Sequence, residues 1–306
     1  MRTLVGTASW TDPTLIACKR FYPRGVTSAE DRLRYYASQF PLVEVDSSYY
    51  SLPGPANAQL WAERTPADFT FNVKAFGLFT GHGVEAKRLP RDLLSAWQPP
   101  QAKVFYRDVP GELRDELWRR WHLALQPLRD AGKLGAVLCQ YPPWVTADRN
   151  GHLWVHHGAA HMRGDTMAVE FRHRSWFDGA QTDSTLAFLR ERQLVNVIVD
   201  EPQGFDNCVP QVWEVTHPQL AMLRLHGRNA ASWNHSGPAS SGRFMYQYAT
   251  AELEELARKA QRLRERTGLM HVVVNTNHED DGQRNARRFM ALPDLLPAAG
   301  SSTPHP

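Results

Sequence analysis

Cysteine is scarce. Cys18, Cys139 and Cys208 are the three in a chain of 306 residues. They are odd in number, far apart and form no CxxC pair, which speaks against a disulfide framework and against a cysteine-built zinc site. A reducing cytoplasm fits that usage. Long apolar runs are missing as well, since no stretch approaches the roughly 18 residues of a membrane span. The opening MRTLVGTASW lacks the apolar segment of a secretory signal. The expectation is a cytoplasmic protein with no membrane partner. Charge of one sign is not in large excess either. The net charge of +3 neither requires nor excludes a nucleic-acid partner, because local clustering of cations is what attracts phosphate. Neither GxGxxG nor GxxxxGK[ST] occurs, so no cofactor is expected from a nucleotide-binding fingerprint.

What is present is a core and a rhythm. Hydrophobic residues make up 42% of the chain and charged residues 22%, near the averages for globular proteins. Short apolar, β-branched runs recur eight times: Leu4–Gly6, Val43–Val45, Thr70–Val73, Leu134–Gln140, Thr166–Glu170, Val195–Asp200, Leu220–His226 and His271–Asn275. Most intervals run roughly 25 to 40 residues, enough for a strand, a helix and two loops. Helical patterns fill them. SAEDRLRYYASQF opens on Ser28 with Asp31 three residues on, close to a capping box. GELRDELWRRWHLALQPLRDAG and TAELEELARKAQRLRERTG are amphipathic, and each ends at glycine. Alternating β and α units imply a parallel sheet. Eight nearly continuous apolar strands favour an α/β fold closed as a single (β/α)8 TIM-type barrel over residues 1–296, with an open doubly wound sheet as the alternative. Long loops are expected after strands three and seven, at 77–110 and 229–244. The Pro/Ser/Gly-rich tail, 297–306, is expected to be disordered.

In such a barrel the functional groups gather where strands end. The chain leaves its apolar runs through TASW, DSSYY, KAF, QYPPW, EFRH, DEP, RLHGR and NTNH. A ring of charge at one mouth is a poor stabiliser, because each buried ion costs several kcal/mol, roughly, unless paired. It reads better as a pocket wall.

The same segments carry a resemblance. GTASW, FYP at Phe21–Pro23, EVDSSYYSLP at Glu44–Pro53, FNVKAF at Phe71–Phe76, KLGAVLCQYPPWV at Lys133–Val145, AVEFRHRSW at Ala168–Trp176, RLHGR at Arg224–Arg228 and VNTNHEDDGQRNA at Val274–Ala286 resemble the YecE-like family, domain of unknown function seventy-two. The match runs in order from about residue 4 to 292 and implies a TIM-type barrel. It implies no settled reaction; a likeness to endonuclease IV-type barrels has been proposed for the family on site geometry. DSSYY stands where the family often has NSTFY. NTNHEDDG replaces the common NNDHxG, which shifts the spacing around His278.

The mouth supports three chemistries. Lys74, Arg172 and Arg224 are candidates to bind an anion, arginine by its two-pronged fork and lysine as a point charge. The bland reading is that Glu170 and Arg172, on one face of a strand, neutralise each other. Glu170 or Asp200 would serve as base and His226 as acid or proton shuttle. Glu44, on the same face as Asp46, belongs either to a core ion pair or to the site. Trp10, Asp46, Tyr49, His173, Trp176, Asn275 and Asn277 complete the candidate substrate-binding set. The aromatics either pack loops over the mouth or stack on a base or sugar. No metal is assigned. A divalent ion held by Glu170, Asp200, His226 and His278 is the alternative, weakened by neighbouring cations and by the lack of HxH or HExxH. His157 and His161, spaced i,i+4, suit an ordinary surface helix.

The leading expectation is thus a hydrolase that binds an anionic phosphoester, a nucleotide or nucleic-acid fragment, at the C-terminal mouth. A metal-dependent hydrolase or isomerase of endonuclease IV-like type is the second. A non-catalytic protein holding a nucleic acid or metabolite is the third.

Overall fold

The computed structural model describes residues 1–162, 164–234 and 240–293. Ten strands form in chain order: β1 (Arg2–Ala8), β2 (Leu42–Val45), β3 (Thr70–Lys74), β4 (Val84–Glu85), β5 (Lys103–Val104), β6 (Leu134–Gln140), β7 (Met167–Glu170), β8 (Val195–Asp200), β9 (Ala221–Leu225) and β10 (Leu269–Val274). Eight of them close a barrel in the order β1-β2-β3-β6-β7-β8-β9-β10, with β10 returning to β1. Every barrel pairing is parallel. Each of the eight expected apolar runs lies on one of these strands. The barrel forms because such runs are buried on both faces, against the interior on one side and the helices on the other.

The helices begin and end where local chemistry directs. Ser28 caps the helix Ala29–Gln39 by accepting the Asp31 amide at 3.0 Å. The helix Thr250–Thr267 stops at Gly268, which takes φ = 78°. A left-handed residue there costs glycine nothing and any other residue something.

The interval after β3 differs from expectation. Instead of a structureless loop, residues 77–110 hold an antiparallel β4–β5 pair and, between its strands, a short helix, Arg91–Trp97. The cause is apolar: Leu78, Phe79, Val84, Leu89, Leu93, Val104 and Tyr106 are buried. Phe79 stacks on Trp118 of the helix Gly111–Asp130 with ring centroids 3.6 Å apart. The interval after β9 carries a four-residue helix, Ala230–Trp233, and a 3-10 turn, Ser240–Phe244. The tail expected to be disordered, 297–306, lies outside the described residues. No helix among those described is long and apolar enough to cross a membrane.

Candidate functional site

Three strands send charges into the barrel interior, and these satisfy one another. Arg224 of β9 is wholly buried. It donates to Glu44 of β2 through Nη2 at 2.5 Å and Nε at 3.1 Å, and to Glu170 of β7 through Nη1 at 2.5 Å. Glu170 also faces the Arg172 Nε at 2.6 Å and accepts from Gln140 at 2.6 Å. Arg172 then donates to Glu201 at 2.8 Å, whose other oxygen takes the Val209 amide. The result is a chain of alternating charge: Glu44, Arg224, Glu170, Arg172, Glu201.

Three carboxylates share two guanidiniums, so the ends of this chain are short of cations. Burial pushes the Glu44 carboxyl up to about 7, more strongly than Arg224 pulls it down. Glu201 likewise rises to about 7 through burial, against the attraction of Arg172. Burial alone would also raise Glu170, but Arg224 and Arg172 on either side hold it well below the usual carboxylate range.

His226 lies above Glu170. Its Nδ1 is 2.9 Å from the Asn275 amide nitrogen, a pure donor, so Nδ1 accepts. Its Nε2 lies 3.3 Å from the Glu170 carboxylate and 3.3 and 3.4 Å from the guanidinium nitrogens of Arg172 and Arg224. Burial, helped by Arg172, pushes the imidazole down to about 3. The ring is neutral near pH 7 and both nitrogens are engaged. Asp200 is as fully committed: it accepts from Arg228 Nε at 2.9 Å, from the Tyr248 hydroxyl at 2.6 Å and from Gln211.

Two tryptophans on the expected list are packing residues. Trp176 stacks on Phe171 at 3.9 Å and donates Nε1 to the Val145 carbonyl. Trp10 sets its edge against Trp61 and Phe71. His173 accepts the Ser175 amide on Nδ1 and so opens the turn Arg174–Phe177.

Above this layer opens a cavity of about 1000 Å³. Of the candidate residues, Asp46, Tyr49, Lys74, Arg172, Asn275 and Asn277 line it, whereas Glu170, Asp200, His173, His226, Arg224, Trp10 and Trp176 do not. Lys74 Nζ stands 3.7 Å from Asp46 Oδ1 and 4.9 Å from the Tyr49 ring centre. Asp46 Oδ1 is buried and has no hydrogen-bond partner. The other lining carboxylate, Asp12, is occupied by the Thr14 amide at 2.8 Å and hydroxyl at 2.6 Å. His82 is held neutral, pushed down to about 3 by burial and by Lys74.

Arg88, Arg243 and Asn207 also line the cavity. In the sequence Arg88 follows Lys87 and precedes Arg91 by three residues. Arg243 and Asn207 carried no signal, since loops placed far apart in the chain deliver them. Arg172 and Arg243 lie 5.4 and 5.0 Å from the ring of buried Trp233, which steadies both cations. As for metal ligation, His278 sits 3.7 Å from Asp281 instead of joining Glu170 or Asp200. Among the described residues no three His, Cys, Asp or Glu side chains are arranged to hold an ion.

A closed eight-stranded parallel barrel whose polar cavity opens beyond the carboxyl ends of its strands defines the (β/α)8 class. Within it, the chain belongs to the family described as "Protein of unknown function DUF72", whose family model matches residues 4–305. It is 28% identical over 295 residues to the UPF0759 protein YunF of Bacillus subtilis (strain 168), spanning 95% of this chain and 94% of that protein. Two solved relatives share the fold. A DUF72 family protein of Enterococcus faecalis V583 superposes with a TM-score of 0.77 at 26% identity, covering 96% of this chain and 95% of the other. One from Thermotoga maritima MSB8 gives 0.73 at 25% identity, covering 94% and 98%. These descriptions carry a family and a fold but no reaction.

Proposed function

We propose that the mouth binds an anionic phosphoester, a nucleotide or a nucleic-acid fragment, and hydrolyses it. The observation that supports this reading most is the imbalance of charge on the cavity wall. Lys74, Arg88, Arg172 and Arg243 line it against two carboxylates, Asp12 and Asp46. Arg172 is held rigid from behind by Glu170 and Glu201, a preorganised donor suited to a charge that grows during reaction.

Glu170, Asp200 and His226 leave the catalytic list in this reading, because each is saturated by partners of its own. Asp46 takes the role of base. Its carboxylate, partly exposed to the cavity and 3.7 Å from Lys74 Nζ, would accept a proton from water as the water oxygen bonds to phosphorus. The ester oxygen then departs with the P–O bonding pair and takes a proton from solvent. Lys74 and Arg172 would neutralise the phosphoryl oxygens meanwhile. The metal-dependent alternative has less support, since Glu170 and His226 face each other while Asp200 and His278 are held by separate partners.

Titration calorimetry with thymidine 5′-monophosphate, paired with turnover of its p-nitrophenyl ester, tests both halves. Lys74→Ala should weaken binding about tenfold, the worth of one charge-assisted hydrogen bond. Asp46→Asn should bind as wild type and lose turnover by about a hundredfold or more. Wild-type turnover by Asp46→Asn would remove Asp46 as base. Binding with no turnover in any form would make the barrel a binding protein.

A further inference from the structure

The mouth does not end at its own rim. A second cavity of about 610 Å³ opens beside it, walled by Phe105, Tyr106, Trp144 and Trp154 with Lys103 and Arg107. Trp144 lines both cavities and is 62% exposed. Its indole Nε1 donates to the Gly81 carbonyl at 3.2 Å, and Gly81 lines the groove while the adjacent His82 lines the mouth. The indole is thus pinned on the divide between the two.

Size bears on the occupant. Small-molecule sites run about 300–1000 Å³, so the mouth alone stands at the top of that range. A second basin behind a shared tryptophan suits a ligand that is extended. Chemistry narrows it further. The groove offers aromatic surface, and its two cations lie over one ring: Lys103 Nζ and the Arg107 guanidinium are 5.8 and 5.5 Å from the Phe105 ring centre. Neither an apolar peptide nor a neutral sugar chain would gain from Lys103 and Arg243, the cations of groove and mouth that have no ion-pair partner among the described residues. A ligand with flat faces joined by repeating negative charge answers both features.

We infer that the groove is a second subsite, which stacks a base of a single-stranded nucleic acid whose neighbouring phosphate occupies the mouth. The inference rests on the anion-binding reading of the mouth and extends it from a mononucleotide to a strand. Trp144 is the step between the subsites, and Lys103 and Arg107 each meet one phosphate beyond it.

The test uses fluorescence anisotropy with a labelled eight-residue oligothymidylate, alongside calorimetry with thymidine 5′-monophosphate. Phe105→Ala should weaken the oligomer at least about fivefold, the lower end for loss of one stacked base, and leave the mononucleotide unchanged. Lys103→Glu combined with Arg107→Glu changes exposed side chains only, so it guards against a folding defect in Phe105→Ala. It should lower the slope of log affinity against log salt by about 1.4, roughly 0.7 per phosphate contact on a single strand. If both groove variants bind the oligomer as wild type while Lys74→Ala does not, the groove is overturned and the mouth stands. If wild type binds neither probe, both readings fall. Equal weakening of both probes by the groove variants would put the mononucleotide itself in the groove and overturn the division into subsites. An oligouridylate run in parallel separates RNA from DNA as the source of the strand.

Discussion

Arg224 sits between Glu44 and Glu170 with no exposure to solvent. What it contributes depends on which member of the set is removed. Replacing Arg224 with methionine leaves two carboxylates buried and facing each other, so Arg224→Met should destabilise by about 3–5 kcal/mol in urea unfolding. Glu170→Gln should cost less, because Arg224 keeps Glu44 and Arg172 keeps Glu201. Equal losses in the two variants would mean that the chain of charges acts as one unit. The same arrangement explains why residue roles were only half legible. Strand alternation put Glu44 with Asp46, and Glu170 with Arg172, on one inward face. It said nothing about depth. A step of two residues moves a side chain about 6.6 Å along the strand, and that step separates the buried layer of Glu44, Glu170 and Arg224 from Asp46 and Arg172 at the cavity.

Strands and helices were legible where local pattern and final burial agree. Leu134–Gln140 and Val195–Asp200 matched to the residue, since a barrel strand is apolar throughout and bounded by polar turns. The strand pair in residues 77–110 was not legible, because β4 and β5 are two residues each. Val84 and Val104, which face each other across the pair, are buried, and no period of their own marks the two strands. One position in β1 shows how tightly strands are matched. Gly6 pairs with Leu42 of β2, and a Cβ built on it would fall 1.8 Å from the Leu42 carbonyl oxygen. Even one methyl group therefore forces β1 and β2 apart at the barrel seam. Gly6→Ala should lower stability by about 1–3 kcal/mol, the usual range for overpacking. A thermal midpoint equal to wild type would show that the seam adjusts.

Across the whole molecule, the buried titratable groups pull against one another as pH changes. Burial pushes His226 and His82 down to about 3 and His271 to about 4. Unfolding frees these rings to take protons below about 6.5. Their contribution to stability is present above that pH and is lost as pH falls through the folded values. Glu44 and Glu201, pushed up to about 7 chiefly by burial, act in the opposite sense. Folded, they keep protons that the unfolded chain releases above about 4.3, so their contribution is full below that point and is lost as pH rises through 7. Between about pH 4.5 and 6.5 the two carboxyls offset two of the three histidines and leave a slope of about 1.4 kcal/mol per pH unit. Further down, the carboxyls are protonated in both states and the histidines act alone, each adding a slope of about 1.4 kcal/mol per pH unit. Glu170, held low by Arg224 and Arg172 against its burial, adds to the loss on the acid side. Urea midpoints measured against pH should therefore decline gently from about pH 6.5 to about 4.5 and then fall steeply. Glu44→Gln combined with Glu201→Gln removes the opposing set, and the steep decline should then begin near pH 6.5, about the histidine value in the unfolded chain. A wild-type curve that is already that steep from there would mean that the end carboxyls stay ionised in the folded barrel, with Arg224 and Arg172 outweighing their burial.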